Sequence, residues 1–254
     1  MRPGHLKLTL LGTFAVEGDL AGPAPTGQAQ RLLKLLAARH GQFVPVGLLT
    51  DVLWGSRPPE HAERNIAVLV SRLRRALGRE RIGGGPTGYR LVLDERITID
   101  LFEAEDLVLT AERELTHRRY ALAATSAERA TGLLTAGRPL AEERDAPWTE
   151  ELRRLADRQL RRARACWWTA ALEMDAHRTA VDVATAALRD DPFDEEACRA
   201  AMSANQRSGE SGGALLVYKA LRSALAEQLG TDPSPATQTL FLSATQRTTR
   251  LMLA

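Results

Sequence analysis

The chain of 254 residues carries 34 Lys+Arg against 32 Asp+Glu, with 44% hydrophobic and 26% charged residues, the balance of a globular protein long enough for two domains. No apolar run approaches the roughly 18 residues of a membrane span, and the N-terminal MRPGHLKLTLLGTF lacks the long apolar stretch and cleavage site of a secretory leader, so a cytoplasmic chain with no membrane partner is expected. Cys166 and Cys198 stand far apart and the five histidines are scattered, which argues against a disulfide framework or a zinc site and leaves both thiols as small core residues.

Residues 6 to 16, LKLTLLGTFAV, are apolar and β-branched with Gly12 dividing them, and breakers from Gly18 to Pro25 follow, which predicts a small antiparallel sheet of short strands. From Thr26 the stretch QAQRLLKLLAARHG sets Ala29, Leu32, Leu33, Leu36 and Ala37 at helical spacing and stops at Gly41. Pro45 opens a second, short helix with Leu48, Leu49, Val52 and Leu53 inward, Trp54 against the small core and Gly55 as the stop.

A third helix is read in residues 59 to 79, PEHAERNIAVLVSRLRRALGR. At about 100° per residue, Ala62, Ile66, Leu69, Val70, Leu73 and Leu77 fall on one stripe. The opposite face is Arg64, Val68, Ser71 and Arg75, flanked by His61, Asn65 and Arg72. Forked cations, a hydroxyl, an amide and one methyl-bearing side chain match what base edges present in a DNA major groove. The helix alone is open to two readings, a recognition helix or an amphipathic helix with a solvated Arg face. Charge placement separates them: residues 1 to 100 hold 14 Lys+Arg and 9 Asp+Glu, a net of +5, whereas residues 101 to 254 hold 20 and 23, a net of −3. The basic half is the half with this helix, as a phosphate-binding footprint requires.

In ERIGGGPTGYRLVLDERITID, Leu91 and Leu93 alternate with Val92, and Ile97 and Ile99 follow in register, so two strands are predicted to bracket the Gly-rich stretch 83 to 88. A phosphate-cradling loop would need Lys, then Ser or Thr, then a helix. Tyr89, Arg90 and a strand follow instead, so the glycines read as a hairpin turn. Sheet, three helices and terminal hairpin make a winged helix-turn-helix.

The run DVLWG, PPEHAERN, VSRLRRALG and GYRLVLD in residues 6 to 100 resembles the DNA-binding part of the Streptomyces antibiotic regulatory proteins, an OmpR-type winged helix. The resemblance implies that the helix from Pro59 to Leu77 enters the major groove; from its exposed face, Arg64, Val68, Ser71 and Arg75 are expected to read bases and Arg72 and Arg74 to meet the backbone. The hairpin around Gly88 to Arg90 would be the wing, with Arg90 against sugar and phosphate and Tyr89 either beside it or packed inward at the start of its strand. One departure from the pattern is NIAVLV before SRLRR, where relatives carry polar or aromatic side chains; Val68 there offers a methyl contact to thymine.

From Phe102 onward the texture is helical: FEAEDLVLTAERELTHRR, ALAATSAERATGLLTAG and WTEELRRLADRQLRRARACWWTAALEMD are rich in Ala, Leu and Arg. HRTAVDVATAALRDDPFDEEA and GALLVYKALRSALAEQLGTDPSPAT echo one another, each ending a helix in Asp-Pro about 41 residues apart, near the period of tetratricopeptide repeats. Trp148, Trp167 and Trp168 read as interhelical packing rather than a ligand box. RRLADRQLRRARA reads as a solvated helix face rather than a second nucleic-acid strip. AEQLGTDPSP and RRYALAATSAERATGLLTAGRPL resemble the bacterial transcriptional activator domain, with Thr135, Ala136, Gly212 and Gly213 where relatives place larger residues or helix formers.

The expected fold class is mainly α: an N-terminal winged helix-turn-helix (α+β) in residues 1 to 100, followed by an all-α tetratricopeptide-like helical domain in residues 101 to 254. The expected function is sequence-specific activation of transcription. The family resemblance implies double-stranded DNA with direct repeats near a promoter as the target, a homodimer on that DNA, RNA polymerase holoenzyme as partner, and control of secondary-metabolite genes. No catalytic, metal or cofactor site is expected, since nucleophile-elbow, dinucleotide and P-loop signatures are missing. The rival reading is a helical-repeat interaction adaptor whose winged helix is a docking module.

Overall fold

The computed structural model describes residues 5 to 252, and it is mainly α, with the N-terminal winged helix-turn-helix followed by an all-helical region. The chain packs into two compact units, Met1–Ala104 with Leu133–Asp157, and Glu105–Gly132 with Arg158–Ala254.

In the first unit, β1 (Leu6–Thr9) pairs antiparallel with β2 (Ala15–Gly18), Leu6 opposite Gly18 and Thr9 opposite Ala15. Leu6 and Leu8 are buried while Lys7 and Thr9 are half-buried, the alternation of a strand with one covered face. Helix α1 (Gly27–Ala38) buries Ala29, Leu32, Leu33, Leu35, Leu36 and Ala37, and with them Lys34. β3 (Val44–Pro45) leads straight into α2 (Val46–Trp54), which buries Leu49 and Leu53 and leaves Leu48 and Val52 half-covered. Helix α3 (Ala62–Leu77) buries Ile66, Leu69, Val70, Leu73, Ala76 and Leu77. It starts at Ala62 rather than Pro59, because the backbone of His61, at φ −117 and ψ 53, lies outside the helical region.

Two findings revise the strand reading. β4 (Ile82–Gly85) and β5 (Gly88–Leu91) form an antiparallel hairpin, so Gly83, Gly84 and Gly85 are strand and only Pro86 and Thr87 make the turn. β3 joins on the other side of β5, giving the order β3-β5-β4. β6 (Ile97–Ile99) leaves this sheet and pairs parallel with β1, Leu6 opposite Ile97 and Leu8 opposite Ile99. The reason is a turn at Asp94, whose carbonyl accepts from Ile97 N–H at 3.1 Å and whose carboxylate accepts from Arg96 N–H at 2.9 Å, redirecting the chain.

Helix α4 (Asp100–Thr116) begins at a buried carboxylate. Asp100 accepts from the N–H groups of Leu10 at 2.7 Å, Leu11 at 3.1 Å and Leu101 at 2.8 Å, fastening the end of β1 to the start of α4. After α5 (Tyr120–Leu134), residues 137 to 141 run along the β1–β2 connection: Leu140 N–H donates to Leu10 O at 2.8 Å and Ala141 N–H to Gly12 O at 3.0 Å. Gly137 permits this approach, since a β-carbon there would lie 2.9 Å from the Gly12 Cα.

Glu142 and Glu143 then reach Lys34, at 2.6 and 2.8 Å from its Nζ. The turn before α6 (Pro147–Glu173) is gathered by Arg153, which is 5% exposed. Its guanidinium donates to Pro139 O, Leu140 O, Glu143 O, Asp145 and Glu150 at 2.5 to 3.3 Å, using the whole donor fork. The stretch 153 to 165 is therefore not a uniformly solvated face. Arg154, Arg158 and Arg161 are exposed, but Arg153 and Arg164 are buried, and Arg164 pairs with Asp190 at 2.7 Å within the second unit.

The second unit is built from small side chains that let helices approach closely. Ala111, Ala127 and Cys166 form one cluster. Trp168 packs with Ala171, Ala180, Ala184 and Ala201 of α6, α7 (His177–Asp190) and α8 (Glu195–Arg207). Cys198 and Met202 pack against Tyr218, Leu221 and Leu225 of α9 (Ser211–Leu229), where Tyr218 stacks on Phe241 of α10 (Pro235–Met252) at 3.9 Å between ring centroids. The echoing sequence units are thus two helical hairpins, and α8 contacts both α7 and α9. Glu195 joins them, accepting from Ser234 N–H at 2.9 Å and from the Thr237 hydroxyl at 2.6 Å. Burial alone would raise the Glu195 carboxyl, but those bonds outweigh it and hold it below the usual carboxylate range. Burial pushes the thiols of Cys166 and Cys198 up to about 11 and about 12, so both are inert core groups.

Candidate nucleic-acid interface

One-sided burial of α3 fixes what its other side presents. Arg64, Val68, Ser71, Arg72 and Arg75 are all exposed, together with His61, Asn65 and Ala67, and Val68 is 47% exposed at the middle of this face. Their spacing places Arg64, Val68, Ser71 and Arg75 in a row along about 16 Å of helix at 1.5 Å per residue. No hydrogen bond or ion pair engages these five named side chains among the described residues. A helix surface carrying three unpaired guanidiniums, a hydroxyl and a valine is held out by a rigid base: Ala21 N–H donates to Ala76 O at 2.8 Å, and Leu69, Leu73 and Ile66 are locked in the core.

The remaining sequence-derived site residues divide. Arg90 on β5 is exposed, in register with Gly83 on β4. Tyr89, read from sequence as a backbone contact, is 5% exposed and leaves no surface for a phosphate, because it alternates inward on β5 opposite Val44. Arg74, read the same way, is half-buried and turned toward the hairpin: its Nε donates to Ile82 O at 3.0 Å and its Nη2 to Gly84 O at 3.2 Å. Its guanidinium also lies 5.9 Å from the centre of the Tyr89 ring.

Periodicity gave no signal for the tip of the hairpin or for Phe43. Pro86 and Thr87 are exposed there, and Phe43, 51% exposed, rests its ring where a Gly88 side chain would be. Between the hairpin tip and the N-terminal end of α3 lies an open groove of about 950 Å³, lined among others by Pro45, Thr50, Pro59, Arg64, Pro86 and Thr87. Asp51, Glu60 and Glu63 also line it, so its charge is mixed. No group of three His, Cys, Asp or Glu among the described residues could hold a metal ion. No helix among them is long and apolar enough to cross a membrane.

Residues 99–243 match the family model of the bacterial transcriptional activator domain, and residues 24–90 that of the transcriptional regulatory protein, C terminal. The regulatory protein AfsR of Streptomyces griseus is 32% identical over 231 residues, which cover 91% of this chain and 23% of that protein. The regulatory protein DnrI of Streptomyces peucetius is 26% identical over 247 residues, covering 92% of this chain and 90% of that one. Among solved structures, EmbR of Mycobacterium tuberculosis, in complex with a low-affinity phosphopeptide, superposes with a TM-score of 0.83 at 23% identity, over 96% of this chain and 65% of that one, which shows a shared fold. The chain spans about a quarter of the length of the AfsR proteins it matches.

Proposed function

The chain belongs to the bacterial transcriptional activator domain family, as a regulator of the Streptomyces antibiotic regulatory protein type, and from that premise we propose that it binds direct repeats of double-stranded DNA and recruits RNA polymerase holoenzyme. It is a regulator of transcription and not an enzyme. The observation that carries the reading is the outward row of α3, where Arg64, Val68, Ser71 and Arg75 are exposed and unpaired on a helix whose other face is locked in a core. In this reading those four side chains meet base edges, and Arg72 and the wing residue Arg90 meet phosphates.

A single recognition helix reads few bases. A homodimer on adjacent repeats about one helical turn apart would bring a second copy at high local concentration. AfsR and DnrI are regulatory proteins, and the genes governed here are proposed to be a secondary-metabolite cluster, read in the cytoplasm where the nucleoid lies. Selection of bound fragments from a genomic library, followed by gel shift of the enriched sequence, tests the proposal. A shared direct repeat is the expected outcome, and binding no tighter than to random DNA at moderate salt overturns it.

A second reading has one feature in its favour. α7 and α9 leave a small apolar groove of about 310 Å³ lined by Leu188, Leu216, Val217 and Leu221, with Leu216 69% exposed, as a protein-interaction adaptor would need. The same gel shift separates the two, since an adaptor with a docking-only winged helix would leave every fragment unshifted.

A further inference from the structure

Strand β4 consists of Ile82 and three glycines, so nothing in its own side chains stiffens it or fixes its place. It is also the edge of its sheet, which leaves the carbonyls on its outer side without a strand partner. Arg74 supplies what is missing. One guanidinium accepts the role of a neighbouring strand: Nε donates to Ile82 O at 3.0 Å and Nη2 to Gly84 O at 3.2 Å. The backbone makes this possible at Gly84, which has φ +107 and where a β-carbon would lie 2.3 Å from the Gly88 oxygen, so only glycine holds that bend. The same guanidinium faces the buried ring of Tyr89 on the central strand, so a single side chain of α3 touches both strands of the hairpin.

We propose that Arg74 is a positioning residue for DNA recognition: it holds the wing at a fixed distance and angle from the reading face of α3, so that Arg90 meets the backbone in register with the bases read by Arg64 and Arg75. The proposal rests on the DNA-binding reading above. It replaces the direct phosphate contact expected of Arg74 from the sequence. Lysine cannot take its place, because an ammonium is a point donor and cannot span two carbonyls of one strand with a planar fork.

The two roles differ in how Arg74 couples to Arg90. If Arg74 acts through the wing, Arg74→Ala and Arg90→Ala each lower the slope of log affinity against log salt by about 1, and the double variant also lowers it by about 1. Two independent phosphate contacts would instead lower it by about 2 in the double variant, which overturns the proposal. Arg74→Lys is expected to behave as Arg74→Ala; a lysine variant with the parental slope and affinity also overturns it. The readings fail separately. If the full chain binds no DNA selectively, the functional proposal falls, and the clamp is judged by amide exchange in the DNA-free full chain. There, Arg74→Lys should exchange its β4 and β5 amides at least about tenfold faster while α3 amides keep their protection. Unchanged hairpin exchange removes the clamp.

Discussion

The ammonium of Lys34 offers the sharpest test of how the first unit is held together. Its side chain is 5% exposed, 5.6 Å from the centre of the Phe14 ring, and its partners are Glu142 and Glu143, 33% and 11% exposed. Replacing both glutamates by alanine leaves a buried cation without a counter-charge, which costs about 3 to 5 kcal/mol. The Phe14 N–H also loses its acceptor on Glu142, for about 1 kcal/mol more. The sum, about 4 to 6 kcal/mol, is comparable with the whole stability of an ordinary domain at about 5 to 15 kcal/mol. With a urea slope of about 2 kcal/mol per molar, the first transition should move down by about 2 to 3 M.

Tryptophan fluorescence is the assay, because Trp54 and Trp148 report on this unit while Trp167 and Trp168 belong to the other. Adding Lys34→Met to the double variant removes the stranded charge and should restore at least about 2 kcal/mol. A double variant within about 1 kcal/mol of the parent, or a triple variant with no recovery, refutes the claim that this pair of carboxylates neutralises a buried charge.

On the reading face, Arg64→Ala or Arg75→Ala should each weaken the cognate site by about 1 to 3 kcal/mol and relax preference at one base position in a competition assay; unchanged selectivity in both would remove them from base reading. Acid should destabilise the fold in a defined window. Glu142 and Glu195 are held below the usual carboxylate range despite burial, so their contribution is complete above the unfolded value of about 4.3 and is lost as pH falls through the folded values. The thermal midpoint should therefore be level from pH 7 to about 5 and fall below about pH 4.5, and a decline beginning near pH 6 would point to histidine instead. A fragment ending near residue 100 keeps every candidate base-reading side chain but lacks Glu142, Glu143 and Arg153, and it should show no cooperative unfolding by circular dichroism; a sharp transition above about 40 °C would contradict that.

What was legible in the sequence is what repeats locally. The 3.6-residue period of α3 separates Ile66, Leu69 and Leu73 from Arg64, Val68 and Ser71 without reference to any other part of the chain, and the structure buries and exposes them accordingly. The β-character of Ile97 to Ile99 was equally local, but its partner was not, because parallel pairing with Leu6 to Leu8 depends on where the chain returns. The burial of Arg74 and Tyr89 was not legible for the same reason. Both sit at positions whose local pattern suits a solvated cation and an edge aromatic, and only the docked hairpin turns them toward each other. Arg153 and Arg164 show how composition misleads: arginines belong at the surface until carbonyls and carboxylates from elsewhere surround them.

Contacts such as Phe14 with Glu142, 128 residues apart, also set a timetable for synthesis. The helix that would read DNA leaves the ribosome complete by residue 77, yet the carboxylates that neutralise Lys34 and the arginine that gathers their loop arrive only with residues 142 to 153. At about 5 to 20 residues per second, the wait from residue 77 to residue 153 is about 4 to 15 s. During it the nascent chain carries a basic amphipathic helix on an unfinished core, exposed to nucleic acid and to chaperones alike. The first unit is thus completed late, after the segment between residues 105 and 132 has been made and before residues 158 to 254, its partners in the second unit, exist.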